Sequence, residues 1–221
     1  MTVPRLVLVR HGLTEWNSEG RFQGHLDPPL SRVGRHEARL VARRLAASED
    51  LRPARIIASP LQRAFATATT IGRAVGLEPV PDARLVEIGQ GDWEGLTYAE
   101  IEEAHPDEYH AWRAAGGMRP PPGGEPFDRA TARIAEVVTE VSRRRPWPAC
   151  LVSHGGALRL MAHALLGLDG SDLGLDVDNA AVSVLARHGG EWHVERWNDS
   201  LHLLGLEPTH VDEAEGQPLA L

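Results

Sequence analysis

Four side chains suited to binding an oxyanion follow short apolar stretches of the chain. Arg10 and His11 come directly after the apolar run Leu6–Val9, while Arg63 and His154 follow two later runs of the same kind. Because ligands of open α/β sheets bind beyond the carboxyl ends of the strands, we expect these four side chains to converge. Two guanidinium groups and two imidazoles would form a small cationic pocket, whose natural ligand is a tetrahedral oxyanion such as phosphate.

A histidine inside a phosphate pocket offers nucleophilic catalysis. A neutral imidazole can attack phosphorus and carry the phosphoryl group as a covalent intermediate. The surrounding cations should lower the pKa of His11 and keep its lone pair available at neutral pH. The departing alkoxide then needs a proton. Glu87, at the end of the stretch ARLVEI, is the carboxyl group best placed in the sequence to donate it and then to activate water.

The elements that would hold these groups alternate between strand and helix. The unbroken run Leu6–Val9 is typical of a strand covered on both faces, and a period of three to four residues over Ser31–Leu45 predicts an amphipathic helix. The stretch Ser59–Gln62 has the form of a capping box with proline at the first helical position, which places Arg63 in the opening turn of a helix. A similar box at Thr97–Glu100 predicts another helix.

Backbone groups are also expected to face the ligand. The turns at Gly12 and at Gly155 and Gly156 would let N–H groups approach an anion closely. Helix N-termini after Ser59 and Ser153 would add partial positive charge at the same place.

The rest of the chain predicts an α/β fold with three layers, α/β/α, and a mostly parallel central sheet. The segment 114–128 is rich in glycine and proline and predicts a loop, and a helical pattern of apolar residues from Ala130 to Val141 follows it. Two strand-like stretches flank HGGE (188–191) and predict an antiparallel pair at a sheet edge. We expect a single domain over residues 1–206 and a poorly ordered acidic tail over residues 207–221.

Composition excludes several classes of function. The 221 residues have a formal net charge of -8, which argues against a general binder of nucleic acid or of anionic membranes. All 23 basic residues are arginines, so neither a Schiff-base lysine nor a P-loop lysine is present. The single cysteine, Cys150, allows no internal disulfide, and the apolar runs are too short to cross a bilayer. We expect a cytoplasmic protein with no nucleic-acid or membrane partner.

Seven stretches, in one order along nearly the whole chain, resemble the histidine phosphatase superfamily and its phosphoglycerate mutase-like branch. They are RHGLTEWN (10–17), RFQGHLDPPLSRVG (21–34), ASPLQRAFATA (58–68), EIGQGDWEG (87–95), PGGE (122–125), SHGG (153–156) and WNDSLHL (197–203). The resemblance implies the phosphoglycerate mutase-like form of the three-layer fold.

The same resemblance implies a role for individual residues. His11 would be the phosphorylated nucleophile and Glu87 the acid and base. The groups implied to bind and stabilise the transferring phosphoryl are Arg10, Arg63 and His154. Further substrate or phosphate contacts are implied for Asn17, Gln23, Gly24 and the backbone amide of Gly155. No cofactor and no metal ion is implied.

The family contains both phosphatases and mutases, and the sequence favours hydrolysis. The stretch Gly91–Gly95 resembles the phosphatase branch, whereas the mutase pattern includes a lysine that this chain lacks. A mutase must also shield phosphohistidine from water, which usually takes a longer covering segment than residues 114–128. DNAAVSVL (178–185) and WNDSLHL resemble members that act on small phosphorylated metabolites, including sugar-phosphoglycerates, and others of broad specificity. Mutase-type phosphoryl transfer is the first alternative.

Three other classes of function agree less well with the sequence. A phospho-ligand binding protein without turnover is disfavoured because His11, His154 and Glu87 are all retained. A metal hydrolase is disfavoured because no HExxH or Cys-x-x-Cys spacing occurs. A serine hydrolase is disfavoured because residues 152–155 do not form a Gly-x-Ser-x-Gly elbow.

Several conspicuous residues are given no catalytic part. Cys150 is expected to be a buried inert thiol and Trp93 a packing anchor. His25 is grouped with the surface and packing histidines, whereas the role of His202, inside WNDSLHL, stays open. A homodimer formed through a sheet edge or an exposed helix is compatible with the sequence, which identifies no interface.

Overall fold

A single six-stranded sheet lies at the centre of the computed structural model, which describes residues 3–115, 117, 119–167 and 175–204. The strands are β1 (Arg5–Arg10), β2 (Arg55–Ala58), β3 (Val80–Pro81), β4 (Ala149–Ser153), β5 (Val182–His188) and β6 (Glu191–Asp199). Their order is β3, β2, β4, β1, β5, β6. The first four are parallel, whereas β5 runs antiparallel to both β1 and β6. The predicted sheet, mostly parallel with an antiparallel edge, is confirmed.

Helices cover both faces of this sheet. They are α1 (Glu15–Ser18), α2 (Arg32–Ala47), α3 (Gln62–Val75), α4 (Tyr98–Ala104), α5 (Pro106–Ala114), α6 (Phe127–Arg143) and α7 (Gly155–Leu166). Successive side chains of a strand point to opposite faces, so Leu6 and Leu8 pack with the apolar residues of α6 and α7, while Val7 and Val9 pack with those of α2 and α3. The predicted three-layer α/β/α arrangement follows from this alternation.

A smaller aromatic cluster lies beside the sheet, on α4, α5 and the segments around them. Trp93 is fully buried and makes edge-to-face contacts with Phe22 and Trp112. This is the packing role predicted for Trp93. Helix α5, which contributes Trp112, was not predicted from the sequence.

The helix starts show where local signals succeed and where one fails. Thr97 and Glu100 form the predicted capping box of α4, with both reciprocal hydrogen bonds present. The box predicted at Ser59–Gln62 is wrong, because α3 begins only at Gln62 and its N-cap, Leu61, makes no side-chain hydrogen bond. The Ser59 hydroxyl instead contacts His154 at 2.8 Å. Arg63 still lies in the opening turn of α3, as predicted.

The hairpin of β5 and β6 turns through Gly189 and Gly190, both of which have positive φ angles (60° and 99°) that favour glycine. The antiparallel pair predicted around HGGE is therefore present, with β6 as the edge strand. The predicted tail at 207–221 lies outside the described residues. None of the helices described is both long enough and apolar enough to cross a membrane.

Candidate active site

The carboxyl ends of β1 and β4 bring the first candidate residues together. These strands pair in parallel with Arg10 opposite Ser153, so His11 and His154 leave the sheet side by side. The backbone N–H of His11 donates to the carbonyl of Ser153 at 3.0 Å. The two imidazole rings then lie edge to face, with centroids 5.1 Å apart. The predicted convergence of strand ends is what places both histidines here.

His11 is held as a neutral imidazole with one nitrogen available for attack. Its Nδ1 lies 2.8 Å from the carbonyl oxygen of Gly12, which can only accept, so Nδ1 holds the hydrogen and Nε2 keeps its lone pair. Burial lowers the pKa of His11 well below its usual value, and the charges of Arg63 and Arg10 lower it further. The pKa of His11 was expected to be low because of the arginine charges, but burial is the larger cause.

His154 presents a second ring nitrogen to the same buried space. The backbone N–H of Leu61 donates to the Ser59 hydroxyl oxygen at 3.3 Å, so the hydroxyl hydrogen can point to Nε2 of His154. In that arrangement Nε2 accepts and the ring hydrogen would be on Nδ1, which is buried and has no hydrogen-bond partner among the described residues. Burial lowers the pKa of His154 well below its usual value, with Arg63 and His11 adding to the shift.

Arg63 is a fully buried cation that supports one loop and faces the histidines. Its guanidinium donates to the carbonyls of Leu26 at 2.7 Å and Gly24 at 2.8 Å. Burial lowers its pKa to about 10 although Glu87 and Asp27 raise it, so the group stays charged at neutral pH. Its Nε has no partner among the residues described. Buried donors without partners are costly, which makes them candidates to bind an anion.

Arg10 lies across the start of α7. Its guanidinium donates to the carbonyl of Val177 at 2.6 Å, and a Cβ placed on Gly155 would lie 3.5 Å from its Cζ. The guanidinium charge also contributes to the low pKa values of His11 and His154. These contacts bring all four of the predicted cationic or imidazole groups to one place.

Glu87 reaches the same place at the first turn of α7, where its charge also raises the pKa of Arg63. Its side chain is buried, and its carboxylate accepts the backbone N–H groups of Ile88 (2.9 Å), Gly156 (3.2 Å) and Ala157 (3.0 Å). Two of these donors belong to the first turn of α7, where helical N–H groups have no partner within the helix. Glu87 follows a single 3₁₀ turn over Ala83–Leu85 rather than a strand.

The two predicted amide side chains both contact Thr14. The Oδ1 of Asn17 accepts from the N–H of Thr14, which caps α1. The Thr14 hydroxyl lies 2.9 Å from that Oδ1 and 3.1 Å from the Oε1 of Gln23, and its single hydrogen is shared between the two oxygens. Gly24 has a φ of +49°, and a Cβ there would lie 2.1 Å from the Oε1 of Glu94. Contacts from Asn17 and Gln23 to a substrate would therefore come from their amide nitrogens.

Two of the predicted backbone donors are already bound within the protein. The N–H of Gly12 donates to the Thr67 hydroxyl at 3.1 Å, and that of Gly156 donates to Glu87. What Gly12 provides is close approach, because a Cβ at this position would lie 2.4 Å from the carbonyl oxygen of Gly34. Among the predicted glycine amides, that of Gly155 remains the candidate for a substrate contact.

Three residues that were not predicted from the sequence bind the backbone of the loop after β1. The Nδ2 of Asn179 and the backbone N–H of Ala180 both donate to the carbonyl of His11 at 3.1 Å. The Oε2 of the buried Glu37 accepts from the N–H of Leu13 at 2.7 Å. Asn179 lies within the matched stretch DNAAVSVL, which was the one available signal, whereas Glu37 looks like any other polar residue of α2.

His202 makes structural contacts with Arg44 and with the backbone of Ala180. Its Nδ1 lies 2.9 Å from the Nη1 of Arg44, and its Nε2 lies 3.1 Å from the carbonyl of Ala180. Burial, followed by the charge of Arg44, lowers its pKa to about 4. Within the part of the chain that the structure describes, no three His, Cys, Asp or Glu side chains lie together so that they could hold a metal ion.

The chain is similar to known phosphatases over most of its length. Residues 6–200 match the profile of the histidine phosphatase superfamily (branch 1). Phosphoserine phosphatase 1 of Hydrogenobacter thermophilus is 36% identical over 203 residues, which cover 90% of this chain and 94% of that protein. The glucosyl-3-phosphoglycerate phosphatase of Mycolicibacterium vanbaalenii is 36% identical over 220 residues, which cover 90% of this chain and 96% of that protein.

A solved structure shows the same likeness in three dimensions. The mycobacterial glucosyl-3-phosphoglycerate phosphatase in complex with VO3 matches with a TM-score of 0.81 at 36% identity, over 89% of this chain and 99% of the other. Fold, sequence profile and relatives agree with the resemblance seen in the seven sequence stretches. This chain belongs to the histidine phosphatase superfamily, in its branch 1.

Proposed function

We propose that the protein is a metal-independent phosphomonoesterase that hydrolyses small phosphorylated metabolites through a phosphohistidine at His11. The names of the relatives support this substrate class, since they include a phosphoserine phosphatase and a glucosyl-3-phosphoglycerate phosphatase. Sugar-phosphoglycerates and phosphoserine are therefore the first substrates to test.

One observation supports the proposal more than any other. His11 is neutral and has a lone pair on Nε2, although it lies beside two guanidinium groups. Arg63 and His154 each add a buried nitrogen without a partner among the described residues. A phosphate ester would neutralise the charges and accept from these donors, while its phosphorus meets the nucleophile.

The first step would form the phosphohistidine. The lone pair on Nε2 of His11 bonds to phosphorus while the bond from phosphorus to the ester oxygen breaks. The Glu87 carboxyl gives its proton to that oxygen, so that an alcohol leaves. Arg10, Arg63 and His154 would stabilise the charge on the transferring phosphoryl group, with Asn17, Gln23, Gly24 and the Gly155 amide as further contacts.

The second step would hydrolyse this intermediate. The Glu87 carboxylate takes a proton from water, and the oxygen of that water bonds to phosphorus as the bond to Nε2 of His11 breaks. Phosphate leaves, and both groups return to their starting states. Both steps need Glu87 at the same place beside the phosphoryl group. The first turn of α7 orients its carboxylate, and the same helix begins directly after His154.

The segment after α5 favours hydrolysis over phosphoryl transfer. Around Pro122 it packs on the loop after Glu87, where the N–H of Asp92 donates to the carbonyl of Pro122 at 2.9 Å. A Cβ on Gly91 would lie 2.2 Å from the same carbonyl oxygen. A segment used in this packing is less able to close over His11 and keep water from phosphohistidine, which a mutase requires.

The proposal also includes a cytoplasmic location, which the use of a single, buried cysteine supports. A homodimer would use a sheet edge or an exposed helix, and β6 is one of the two edge strands of the described sheet. Both are predictions that subcellular fractionation and sedimentation would test.

Phosphate release from a panel of monoesters, with EDTA present, tests the proposed function. The panel contains phosphoserine, glucosyl-3-phosphoglycerate, 3-phosphoglycerate and α-ribazole phosphate, and His11→Ala serves as the inactive variant. His188→Ala is the matched control, since His188 is exposed at the far end of β5. Turnover that resists EDTA and disappears only in His11→Ala supports the proposal. Conversion of 3- to 2-phosphoglycerate without phosphate release would indicate a mutase, and no turnover would indicate a binding protein.

A further inference from the structure

Arg133, on α6, closes the short segment that leads to Glu87. Its Nη1 donates to the carbonyl oxygens of Arg84 and Val86, both at 2.8 Å, and its Nη2 donates to that of Glu87 at 3.0 Å. One rigid guanidinium thus binds three carbonyls within four residues. No strand or helix includes Glu87, so these bonds replace the ladder that would otherwise fix its backbone.

Glu125 completes the arrangement from the loop before α6. Its two carboxylate oxygens accept from Nε and Nη2 of Arg133, at 2.8 and 2.7 Å. The N–H of Gly89 donates to the carboxylate at 3.3 Å, and the N–H of Glu125 donates back to the carbonyl of Gly89 at 2.8 Å. Arg133 and Glu125 therefore hold the backbone on both sides of the Glu87 side chain.

The two residues form a half-buried, two-point ion pair rather than an exposed surface contact. The side chains are 16% and 12% exposed. Burial alone would raise the pKa of Glu125, but the hydrogen bonds and charge of Arg133 outweigh it, so that the pKa lies below its usual value. The planar fork of arginine suits this geometry, and lysine cannot reproduce it.

His25 adds a third contact to the same carbonyl group. Its Nε2 lies 2.9 Å from the carbonyl oxygen of Glu87, which therefore has both His25 and Arg133 as donors. Sequence analysis grouped His25 with the surface and packing histidines. The backbone N–H of His25 also donates to Glu94 at 2.9 Å, so the loop that Arg63 supports is joined to the Glu87 segment.

We propose that Arg133 and Glu125 are positioning residues for acid–base catalysis, holding Glu87 where it can protonate the leaving group and then deprotonate water. The inference depends on the proposed phosphatase function. Both residues act through the Glu87 backbone and need not touch the substrate. Because a displacement of about 1 Å can cost roughly 100-fold in rate, a looser Glu87 segment should slow catalysis without affecting phosphate binding.

The nature of the leaving group separates a positioning role from a structural one. Aryl phosphates such as p-nitrophenyl phosphate release a stable phenolate and need little protonation, whereas alkyl phosphates such as phosphoserine must be protonated as they leave. Loss of Glu87 positioning should therefore slow an alkyl ester more than an aryl ester. A variant that only lowers the fraction of correctly folded protein would slow hydrolysis of the two esters equally.

The experiment compares kcat/KM, which reports the steps up to leaving-group release, for phosphoserine and p-nitrophenyl phosphate in the full-length protein and in Glu87→Gln, Glu125→Gln and Arg133→Lys. Arg133→Lys keeps the cation and is the variant to use if Glu125→Gln does not fold. Glu136→Gln is the matched control, because Glu136 lies on α6 in an exposed ion pair with Arg84. Circular dichroism and the thermal midpoint verify that each variant is folded.

We expect kcat/KM for phosphoserine to fall about tenfold more than kcat/KM for p-nitrophenyl phosphate in the Arg133 and Glu125 variants, a smaller difference than Glu87→Gln should show. The inhibition constant of inorganic phosphate should stay near the wild-type value, and Glu136→Gln should match the wild type. An equal loss for the two esters in folded variants would overturn the inference and leave the proposed function intact. Absence of turnover in the wild type would overturn the proposed function itself.

Discussion

The imidazoles of His11 and His154 lie edge to face, with planes at 60° and centroids 5.1 Å apart, and both are buried. Burial and the nearby arginines lower the pKa of each, so both rings are neutral at pH 7. The Nε2 of His11 keeps its lone pair, and the Nδ1 of His154 is buried without a partner among the described residues. The pair can thus supply a nucleophile and a donor side by side.

Replacing the donor should reduce turnover while leaving the nucleophile in place. His154→Ala removes a buried side chain that the proposed mechanism assigns to the transferring phosphoryl group, and we expect kcat to fall roughly 100- to 1,000-fold. Steady-state kinetics with the best substrate of the panel checks this, with His188→Ala as the control. A kcat within about twofold of the wild type would remove His154 from the proposed mechanism.

Acid should destabilise the protein through its buried neutral histidines. His11, His154 and His202 all have a folded-state pKa below 6.5, so the unfolded chain binds more protons as pH falls. Their contribution to stability is fully present above pH 6.5 and decreases as pH falls below this value toward the folded-state pKa values. The thermal midpoint should therefore drop between pH 7 and pH 5.

His202→Gln isolates one part of this pH effect. The pKa of His202 is lowered to about 4, and its ring contacts Arg44 and the carbonyl of Ala180. The variant should show a shallower fall of the thermal midpoint between pH 7 and pH 5 than the wild type does. Parallel curves for the two proteins would show that His202 takes no part in the acid sensitivity.

The loop that holds His11 depends on close contact with the first turn of α2. A Cβ on Gly34 would lie 1.9 Å from the carbonyl oxygen of Leu13. Because this oxygen belongs to the backbone, it cannot move aside as the end of a flexible side chain could. Gly34→Ala should lower the free energy of unfolding by about 1–3 kcal/mol and reduce kcat, because the loop after His11 must move.

Denaturant unfolding and kinetics measure both effects of Gly34→Ala. Gly20→Asn is a suitable control, since Gly20 has open space around it and a φ of +66°, which asparagine tolerates. If Gly34→Ala is as stable and active as the control, the loop is not constrained in the way described.

The strand-end residues were predictable because their signals are local. An apolar run followed by Arg10 and His11, and a second run followed by His154, indicate strands whose carboxyl ends meet. The cap at Ser59 was mispredicted for a related reason. A side chain can serve either a helix terminus or a tertiary contact, and here the hydroxyl contacts His154 instead.

The support of Glu87 could not be predicted, because it depends on distant parts of the chain. Arg133 lies 46 residues from Glu87 in sequence, and nothing in the pattern of α6 distinguishes it from other arginines on that helix. PGGE was recognised as a matched stretch, yet its glutamate received no role. Only the packing of α6 against the Glu87 segment brings this glutamate, Glu125, into contact with Arg133 and Gly89.

The proposed mechanism depends on phosphorylation of His11, which can be checked by trapping the phosphohistidine. Glu87→Gln should still accept the phosphoryl group from p-nitrophenyl phosphate, since a phenolate needs little protonation, but should activate water poorly. After rapid mixing and an alkaline quench, peptide mass spectrometry should find a phosphoryl group on His11, absent from Glu87→Gln combined with His11→Ala. A phosphoryl group on another residue, or phosphate release by His11→Ala at the wild-type rate, would contradict the mechanism.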